Sequence, residues 1–270
     1  MAGAKVGELL AEWRHRRHRS QLDLASEVGV STRHLSYVET GRSRPSPEMV
    51  ITLSDHLDVP LRDRNAMLLA AGYAPRYTQS SFDDLSMQVV RRSLQRMLDA
   101  HDPYPGVVVD QRWNVVLANA AALVLIDGLP IELLQPQLNV FRVCLHPDGL
   151  AGRTINFEDW AAYLLGQIRR TIQLTRDDEL IALEREVLAY PNVIELKDPD
   201  PGSHEDDPPL LVPFVLDTAN ACWSMFTTLT TFGTPRDVTL DELCVELFFP
   251  ADDATEVLMR QELPAAATGS

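Results

Sequence analysis

The sequence predicts an all-α amino-terminal domain followed by an α+β domain with an antiparallel sheet. Two short amphipathic helices meet at a glycine turn near residue 29, and three runs rich in Thr, Val, Leu and aromatics lie between residues 212 and 249. At 270 residues, the chain is long enough for a small unit and one larger domain. The predicted boundaries are 1–76 for the first domain, 77–103 for a linker and connecting helix, 104–263 for the second domain, and 264–270 for a disordered tail.

The two helices around the glycine turn have marked beginnings. Ser20 is predicted to cap the first helix, with Asp23 completing an approximate capping box, and Ser31 is predicted to cap the second. Gly29 provides the turn residue that tolerates a positive φ. The apolar and small residues for the buried faces are Leu24, Ala25, Val28, Val30, Leu35 and Val38. Two helices that cross steeply at such a turn are the arrangement with which many proteins read DNA.

The second of these helices presents a polar face. With Leu35 and Val38 turned inward, the side chains predicted to face outward are Thr32, Arg33, Ser36 and Tyr37. Arg33 is the first candidate for base readout, because a guanidinium can bond guanine in a bidentate fork. Tyr37 is either a phosphate donor or the edge of the core. Glu39 is interpreted as a structural partner of an arginine such as Arg14, since a carboxylate facing phosphates is repelled.

Residues 6–57 resemble the helix-turn-helix domain shared by phage repressors and the xenobiotic-response-element family of bacterial regulators. The matching positions are Arg14, Ser20, Gln21, Leu24, Ala25, Gly29, Val30, Ser31, Leu35, Ser36, Glu39, Gly41, Pro45 and Ser46. The resemblance implies DNA contacts from Gln21, Thr32 and Arg33, and phosphate contacts from Thr40 and Arg42. His18 and the Leu22-Asp23 pair depart from the family pattern at positions that do not touch bases. A helical bundle that binds no nucleic acid is the alternative.

Charge is divided unevenly along the chain. The net charge is −15, but residues 1–80 carry eleven Lys and Arg against nine Asp and Glu, whereas the remainder carries thirteen against thirty. The acidic part must therefore be held away from a DNA duplex. The amino-terminal charge is concentrated in Arg14, Arg16, Arg17, Arg19, Arg42 and Arg44. Because one such unit makes few phosphate contacts, we predict a homodimer on a pseudo-palindromic operator with half-sites ~34 Å apart.

The remaining elements of the chain follow from periodicity. Pro47 opens a helix that buries Met49, Val50, Leu53 and Leu57, and a further helix spans 65–71 before Gly72. A connector at 76–83 leads to a helix with an apolar stripe over 85–98. This stripe is predicted to pack either against a partner subunit or into the core of its own subunit. The predicted elements of the second domain are a hairpin at 106–117, helices at 119–125, 157–172 and 180–188, a mobile acidic loop at 197–209, strands at 212–217, 223–232 and 243–249, and a last helix at 253–262.

The run from Val108 to Ala122 resembles the opening of the MmyB-like regulator ligand-binding domain, which follows the same helix-turn-helix unit in many bacterial transcription factors. The resemblance implies a PAS-like second domain and a small apolar ligand, with a fatty acid as the candidate. The predicted pocket residues are Trp113, Asn119, His146, Arg153, Trp160, Met225, Phe226 and Phe232. A fatty acid would need a basic or amide group to meet its carboxylate. The alternative is a protein-interaction or dimerisation domain without a ligand.

Several other functions find no support in the sequence. Three widely spaced cysteines indicate a reducing compartment, no secretory signal is visible at the amino terminus, and we expect a cytoplasmic protein without a membrane partner. Cys144 and His146 could form half of a metal site, but a structural zinc needs four ligands. No glycine-rich phosphate loop, nucleophile elbow or zinc-protease motif appears, so we expect neither a cofactor nor catalysis.

Overall fold

A computed structural model describes residues 2–196, 210–218 and 221–263 of the chain. Its contacts divide the chain into two units, one of residues 1–81 with 233–241 and the other of residues 82–232 with 242–270. The predicted acidic loop at 197–209 and the predicted disordered tail at 264–270 lie outside the described residues. No helix in the described part of the chain is both long and apolar enough to cross a membrane.

The amino-terminal part of the first unit is all helical, as predicted. Its helices are α1 (Ala2–Arg16), α2 (Gln21–Val28), α3 (Thr32–Glu39), α4 (Pro47–His56) and α5 (Leu61–Ala70). Both predicted caps are confirmed: Ser20 Oγ accepts from the Asp23 N–H within a capping box, and Ser31 Oγ accepts from the His34 N–H. Gly29 has a φ of 75°, the positive value that the turn between α2 and α3 requires.

Only one face of α3 packs against the core of this unit. Its fully buried side chains include Val6, Leu10, Leu24, Leu35, Val38, Val50, Leu53, Leu57 and Met67. Helix α1 passes close to the end of α3 at Gly7, where a Cβ would lie 2.4 Å from the carbonyl oxygen of Val38. Glycine is therefore the one residue that permits this approach. On the opposite face of α3, none of the side chains of Thr32, Arg33, Ser36 and Tyr37 is fully buried.

The second unit is an α+β domain built on a five-stranded antiparallel sheet, which confirms the predicted fold class. The strands are β1 (Gly106–Val109), β2 (Val115–Ala118), β3 (Phe214–Asp217), β4 (Cys222–Thr231) and β5 (Cys244–Pro250), in the order β2-β1-β5-β4-β3. The helices of this unit are α6 (Gln88–Asp99), α7 (Ala120–Leu125), α8 (Ile131–Leu134), α9 (Val140–Leu145), α10 (Phe157–Thr175), α11 (Asp178–Leu188), α12 (Pro191–Ile194) and α14 (Asp253–Glu262). Helix α13 (Val238–Asp241) lies in the segment 233–241, which belongs to the first unit.

Helices cover both faces of the sheet. Leu98 of α6 and Leu247 of β5 both lie against Gly106, so α6 packs on the face that Leu247 shares. The other face, which carries Phe248, contacts the main core around α9 and α10. Here the Trp160 ring stacks on Phe214 with ring centroids 4.8 Å apart. The short helices α8 and α9 were not predicted, because four and six residues are too few to show a helical period.

The start of α5 was predicted wrongly. The sequence placed the helix at 65–71, whereas it begins at Leu61 and ends at Ala70. Pro60 occupies the N-cap position and forms no side-chain cap. The Leu61 N–H instead donates to Asp241 Oδ2 at 2.9 Å, across 180 positions of the chain. A cap from so far away leaves no local signal for the helix start.

The segment Gly233–Asp241 was predicted to lie in the second domain, but it belongs to the first unit. Its anchor is Asp237, which is only 8% exposed. The carboxylate accepts from Thr78 Oγ1 at 2.7 Å, from Ser80 Oγ at 2.9 Å and from the Ser80 N–H at 3.0 Å. Burial opposes ionisation, but these hydrogen bonds outweigh it and lower the pKa of Asp237. The Asp237 carboxylate thus fastens this segment to residues 78–80, together with hydrogen bonds from the Val238 N–H to the Thr78 carbonyl oxygen and from Thr239 Oγ1 to the Ser80 carbonyl oxygen.

We expect Asp237→Ala to lower the free energy of unfolding of the first unit by about 2 kcal/mol, because it removes three hydrogen bonds to a buried carboxylate. Urea denaturation of the full chain measures the loss. Asp55→Ala is the matched control, since it removes an aspartate that forms an exposed ion pair with Arg64 and should cost under about 1 kcal/mol. Equal losses in the two variants would contradict the assigned role of Asp237.

Candidate DNA-binding surface and ligand pocket

The face of α3 that points away from the core carries the four predicted outward side chains. Leu35 and Val38 are 1% and 0% exposed, which fixes the inner face of the helix. On the outer face Arg33 is exposed, and Thr32, Ser36 and Tyr37 are half-buried. The first turn of the helix, with Thr32 and Arg33, is the part that enters the major groove in helix-turn-helix proteins.

Two arginines converge on one tyrosine at this face. Arg33 Nε donates to the Tyr37 hydroxyl at 3.0 Å, and its guanidinium carbon lies 5.3 Å from the centre of the Tyr37 ring. Arg42 lies 5.8 Å from the centre of the same ring. Neither arginine forms an ion pair with a described residue, so both charges remain available to an anion. We call Arg33, Tyr37 and Arg42 the arginine–tyrosine cluster.

Several of the amino-terminal arginines form hydrogen bonds or ion pairs within the protein. Arg17 Nε donates to the carbonyl oxygen of Leu57 at 2.8 Å, and Arg44 Nε donates to that of Ala71 at 2.8 Å. Arg16 pairs with Glu12, and Arg19 pairs with Glu27. Arg16 and Arg19 are therefore neutralised by glutamates. Arg17 and Arg44 keep their positive charge, but their side chains are held by carbonyl oxygens of the protein.

Glu39 binds Arg14, as predicted. Arg14 Nε and Nη2 donate to the two carboxylate oxygens at 2.7 and 2.9 Å, and both side chains are buried. Gln21 Nε2 also donates to Glu39 Oε2 at 2.7 Å, which ties the first residue of α2 to α1 and α3. Thr40 Oγ1 donates to the Ser36 carbonyl oxygen at 2.7 Å. The side chains of Gln21 and Thr40 are thus positioned by the protein, and their DNA contacts stay a prediction.

The second unit contains an apolar cavity between its sheet and helices α7 and α9. The centre of a water-sized sphere can occupy about 70 Å³ of it, and the cavity is partly open to solvent. Most lining groups are aliphatic or aromatic, as expected of a small-molecule site. The residues that line it are Pro105, Val107, Val115, Ala118, Ala122, Leu123, Leu125, Ile126, Leu138, Val140, Val143, Cys144, Leu150, Glu246 and Phe248.

Glu246 is the acidic residue of this lining. It lies on β5 opposite Val107 of β1 and is 2% exposed. Burial raises the pKa of Glu246 to about 7, and a hydrogen bond from Thr227 offsets part of the rise. Its Oε2 has no hydrogen-bond partner among the described residues. A buried acceptor without a donor is costly, so this oxygen marks a place where a ligand group could bind.

The aromatic residues predicted for the pocket lie elsewhere in the second unit. Trp113 packs on Phe141 with ring centroids 5.1 Å apart, and Trp160 is 2% exposed within the main core. Phe226 stacks on Phe249 with ring centroids 5.4 Å apart, while Met225 is fully buried and Phe232 is half-buried after the end of β4. None of these residues lines the cavity within the described structure. Their bulk fills the core and the outer face of the sheet.

The predicted polar pocket residues are also used by the fold. Asn119 Oδ1 accepts from the N–H groups of Gly106 and Ala122, and Asn119 Nδ2 donates to the Tyr104 carbonyl oxygen. Arg153 Nη2 donates to the Leu125 carbonyl oxygen at 2.5 Å. The His146 ring packs edge-on against Tyr190. The described cavity therefore lacks the basic or amide group that a bound fatty acid was expected to require.

The thiols and the candidate metal ligands were also predicted from the sequence, and the structure shows their surroundings. Burial raises the pKa of the Cys144 thiol to about 12, which keeps that thiol protonated. All three cysteines are free thiols. Among the described residues, no three His, Cys, Asp or Glu side chains gather as a metal site would require.

Comparison with known proteins gives two matches to protein families. Residues 90–261 match the MmyB-like transcription regulator ligand binding domain, and residues 5–67 match a helix-turn-helix domain. Among solved structures, a match is the crystal structure of the clp gene regulator ClgR from Corynebacterium glutamicum, which is 22% identical. That match covers 38% of this chain and 96% of the other, with a TM-score of 0.24. No curated protein matches the chain.

Proposed function

The chain belongs to the family of MmyB-like transcription regulators, and we propose that it is a bacterial, cytoplasmic homodimer that binds a pseudo-palindromic operator under the control of a small apolar effector. The observation that carries the DNA-binding part is the arginine–tyrosine cluster on the exposed face of α3. Its two guanidinium groups are held beside one aromatic ring, and neither is neutralised by a described carboxylate. Arg33 is proposed to read bases, and Arg42 to bind phosphate.

The proposed dimer follows from charge and from exposed apolar surface. A single unit with two uncompensated arginines at its reading helix makes few phosphate contacts and needs a second copy for useful affinity. The segment that leads into and includes α6 exposes apolar side chains, with Leu85, Val89 and Met97 at 81%, 64% and 39% exposure. Such side chains suit a contact with a second copy of the chain. Half-sites about one helical turn apart would match this arrangement.

The proposed effector is an apolar molecule in the cavity beneath α7. The aliphatic lining suits a hydrocarbon chain. A fatty acid is the candidate that the resemblance implies, and the second unit would act as a PAS-like sensor. The effector controls DNA affinity only if it binds one arrangement of the protein more tightly than another.

Two arginine variants test the proposed DNA contacts. The full chain is used to select tight duplexes from a random library, and the affinities for a selected and a scrambled duplex are then compared. Arg33→Ala should reduce the difference between the two binding free energies by about 1–3 kcal/mol, because it removes a base contact, whereas Arg42→Ala should weaken both affinities alike.

Arg185→Ala is the matched control, because Arg185 is an exposed arginine of the second unit. This variant should bind both duplexes as the natural protein does. An equal loss of selectivity from Arg33→Ala and Arg42→Ala would contradict the assignment. The absence of salt-dependent binding to any duplex would overturn the proposed function itself.

The effector is tested on the purified chain. Extraction followed by mass spectrometry should detect a co-purified apolar molecule. An empty extract, together with no binding of added amphiphiles, would favour a second domain that binds only protein partners.

A further inference from the structure

The cavity of the second unit holds a buried acid where an apolar pocket would need none. Every second residue of β5 lies on the face of the sheet that points to the cavity, namely Cys244, Glu246 and Phe248. Phe248 packs with the core as expected, but the Glu246 carboxylate is 2% exposed and leaves Oε2 without a donor. Polar groups in such positions are normally hydrogen-bonded, and an exception requires an explanation.

The surroundings do not supply a compensating charge. Thr227 donates one hydrogen bond to the carboxylate. The titratable groups that face it are Cys144, Cys244 and Tyr163, and burial raises the pKa of all three, so each stays neutral. No lysine, arginine or histidine is among the described residues that line the cavity. A buried acid that has no cationic partner in the lining of an apolar cavity can recognise a donor that arrives with the ligand, because such a donor would stabilise the ionised form of the acid.

We propose that Glu246 recognises the polar end of the effector, and that the effector is an apolar amine whose ammonium group donates to Glu246 Oε2. This inference rests on the proposed function, in which the second unit binds an apolar effector, and it specifies the chemistry of the molecule. An ammonium group provides the missing donor and the missing positive charge at once, in a charge-assisted hydrogen bond. The carboxylate of a fatty acid would instead be repelled by the ionised form of Glu246, since no cationic residue lines the described cavity.

Three probes with the same hydrocarbon chain test this inference on the full chain. Octylamine, octanol and octanoate are titrated separately, below the concentrations at which they aggregate, and their affinities are measured by calorimetry. Octylamine should bind about tenfold or more tighter than octanoate, with octanol between them, because a hydrogen bond to a charged group exceeds a neutral one.

The variant Glu246→Gln keeps the size of the side chain and removes its charge. It should abolish the preference for octylamine over octanol while retaining the affinity for octanol. Since the chain carries a net charge of −15, amines are attracted to its surface as well. Glu132→Gln is therefore the matched control, because Glu132 is an exposed acid of the same unit and its removal should leave the preference unchanged.

The outcomes separate the inference from the proposed function. Octanoate as the tightest probe, or an octylamine preference that survives Glu246→Gln, overturns the role of Glu246 and leaves an apolar effector in place. Binding of none of the three probes to the natural chain overturns both the inference and the effector that it depends on. The panel on the natural chain decides between the amine and the acid even if the glutamine variant fails to fold.

Discussion

Glu39→Ala should lower the free energy of unfolding of the first unit by about 3–5 kcal/mol, because it removes one partner of a buried ion pair. Arg14 and Glu39 are 6% and 8% exposed, and they form two hydrogen bonds. Without Glu39, the guanidinium of Arg14 would keep only its hydrogen bonds to the Arg19 carbonyl oxygen and His15. The amide of Gln21 would lose its acceptor as well. Urea denaturation of the full chain measures this loss.

The control for this prediction is another glutamate of the same unit. Glu27 pairs with Arg19 at the surface, so Glu27→Ala should cost less than about 1 kcal/mol. A loss of similar size in the two variants would contradict the role assigned to the buried pair. Because Arg14, Gln21 and Glu39 lie on different helices, the Glu39 variant should also weaken operator binding by disturbing the position of α3.

The elements that the sequence predicts well are those with local signals. Ser20, Ser31 and Gly29 each act within a few residues of their own position, and all three behave as predicted. Glu39 was predicted to bind an arginine such as Arg14 from charge alone, because DNA phosphates would repel a carboxylate that faced them. The start of α5 could not be predicted, since its cap, Asp241, is distant in the sequence.

The candidate ligand site was harder to predict for a physical reason. Asn119 and Arg153 were predicted to bind a ligand because their side chains can form hydrogen bonds. In the structure, both side chains form hydrogen bonds with backbone groups of the protein instead. Glu246 was not among the predicted pocket residues, because the composition of the run 243–249 predicts a strand but does not show which side chains face a cavity. Alternation was the available signal: an acid between Cys244 and Phe248 on one face of a central strand is out of place.

The buried acid also predicts how stability should depend on pH. In the unfolded chain the carboxyl of Glu246 has its ordinary pKa of 4.5, whereas burial raises the pKa in the folded protein to about 7. The folded state therefore holds the proton more tightly. The contribution of Glu246 to stability is fully present below pH 4.5 and is lost as the pH rises through 7. The loss amounts to about 3 kcal/mol once the carboxyl is ionised in both states.

Glu246→Gln should accordingly be more stable than the natural chain by up to about 3 kcal/mol at about pH 8, and the advantage should shrink towards about pH 5. Urea denaturation at both pH values, with ligand first removed, measures the difference. Glu132→Gln should show no such trend, because its acid is exposed. A stability difference that is constant across this range would contradict the raised pKa. Since an ammonium ligand would neutralise the carboxylate, added octylamine should reduce the pH dependence of the natural chain and leave that of the glutamine variant unchanged.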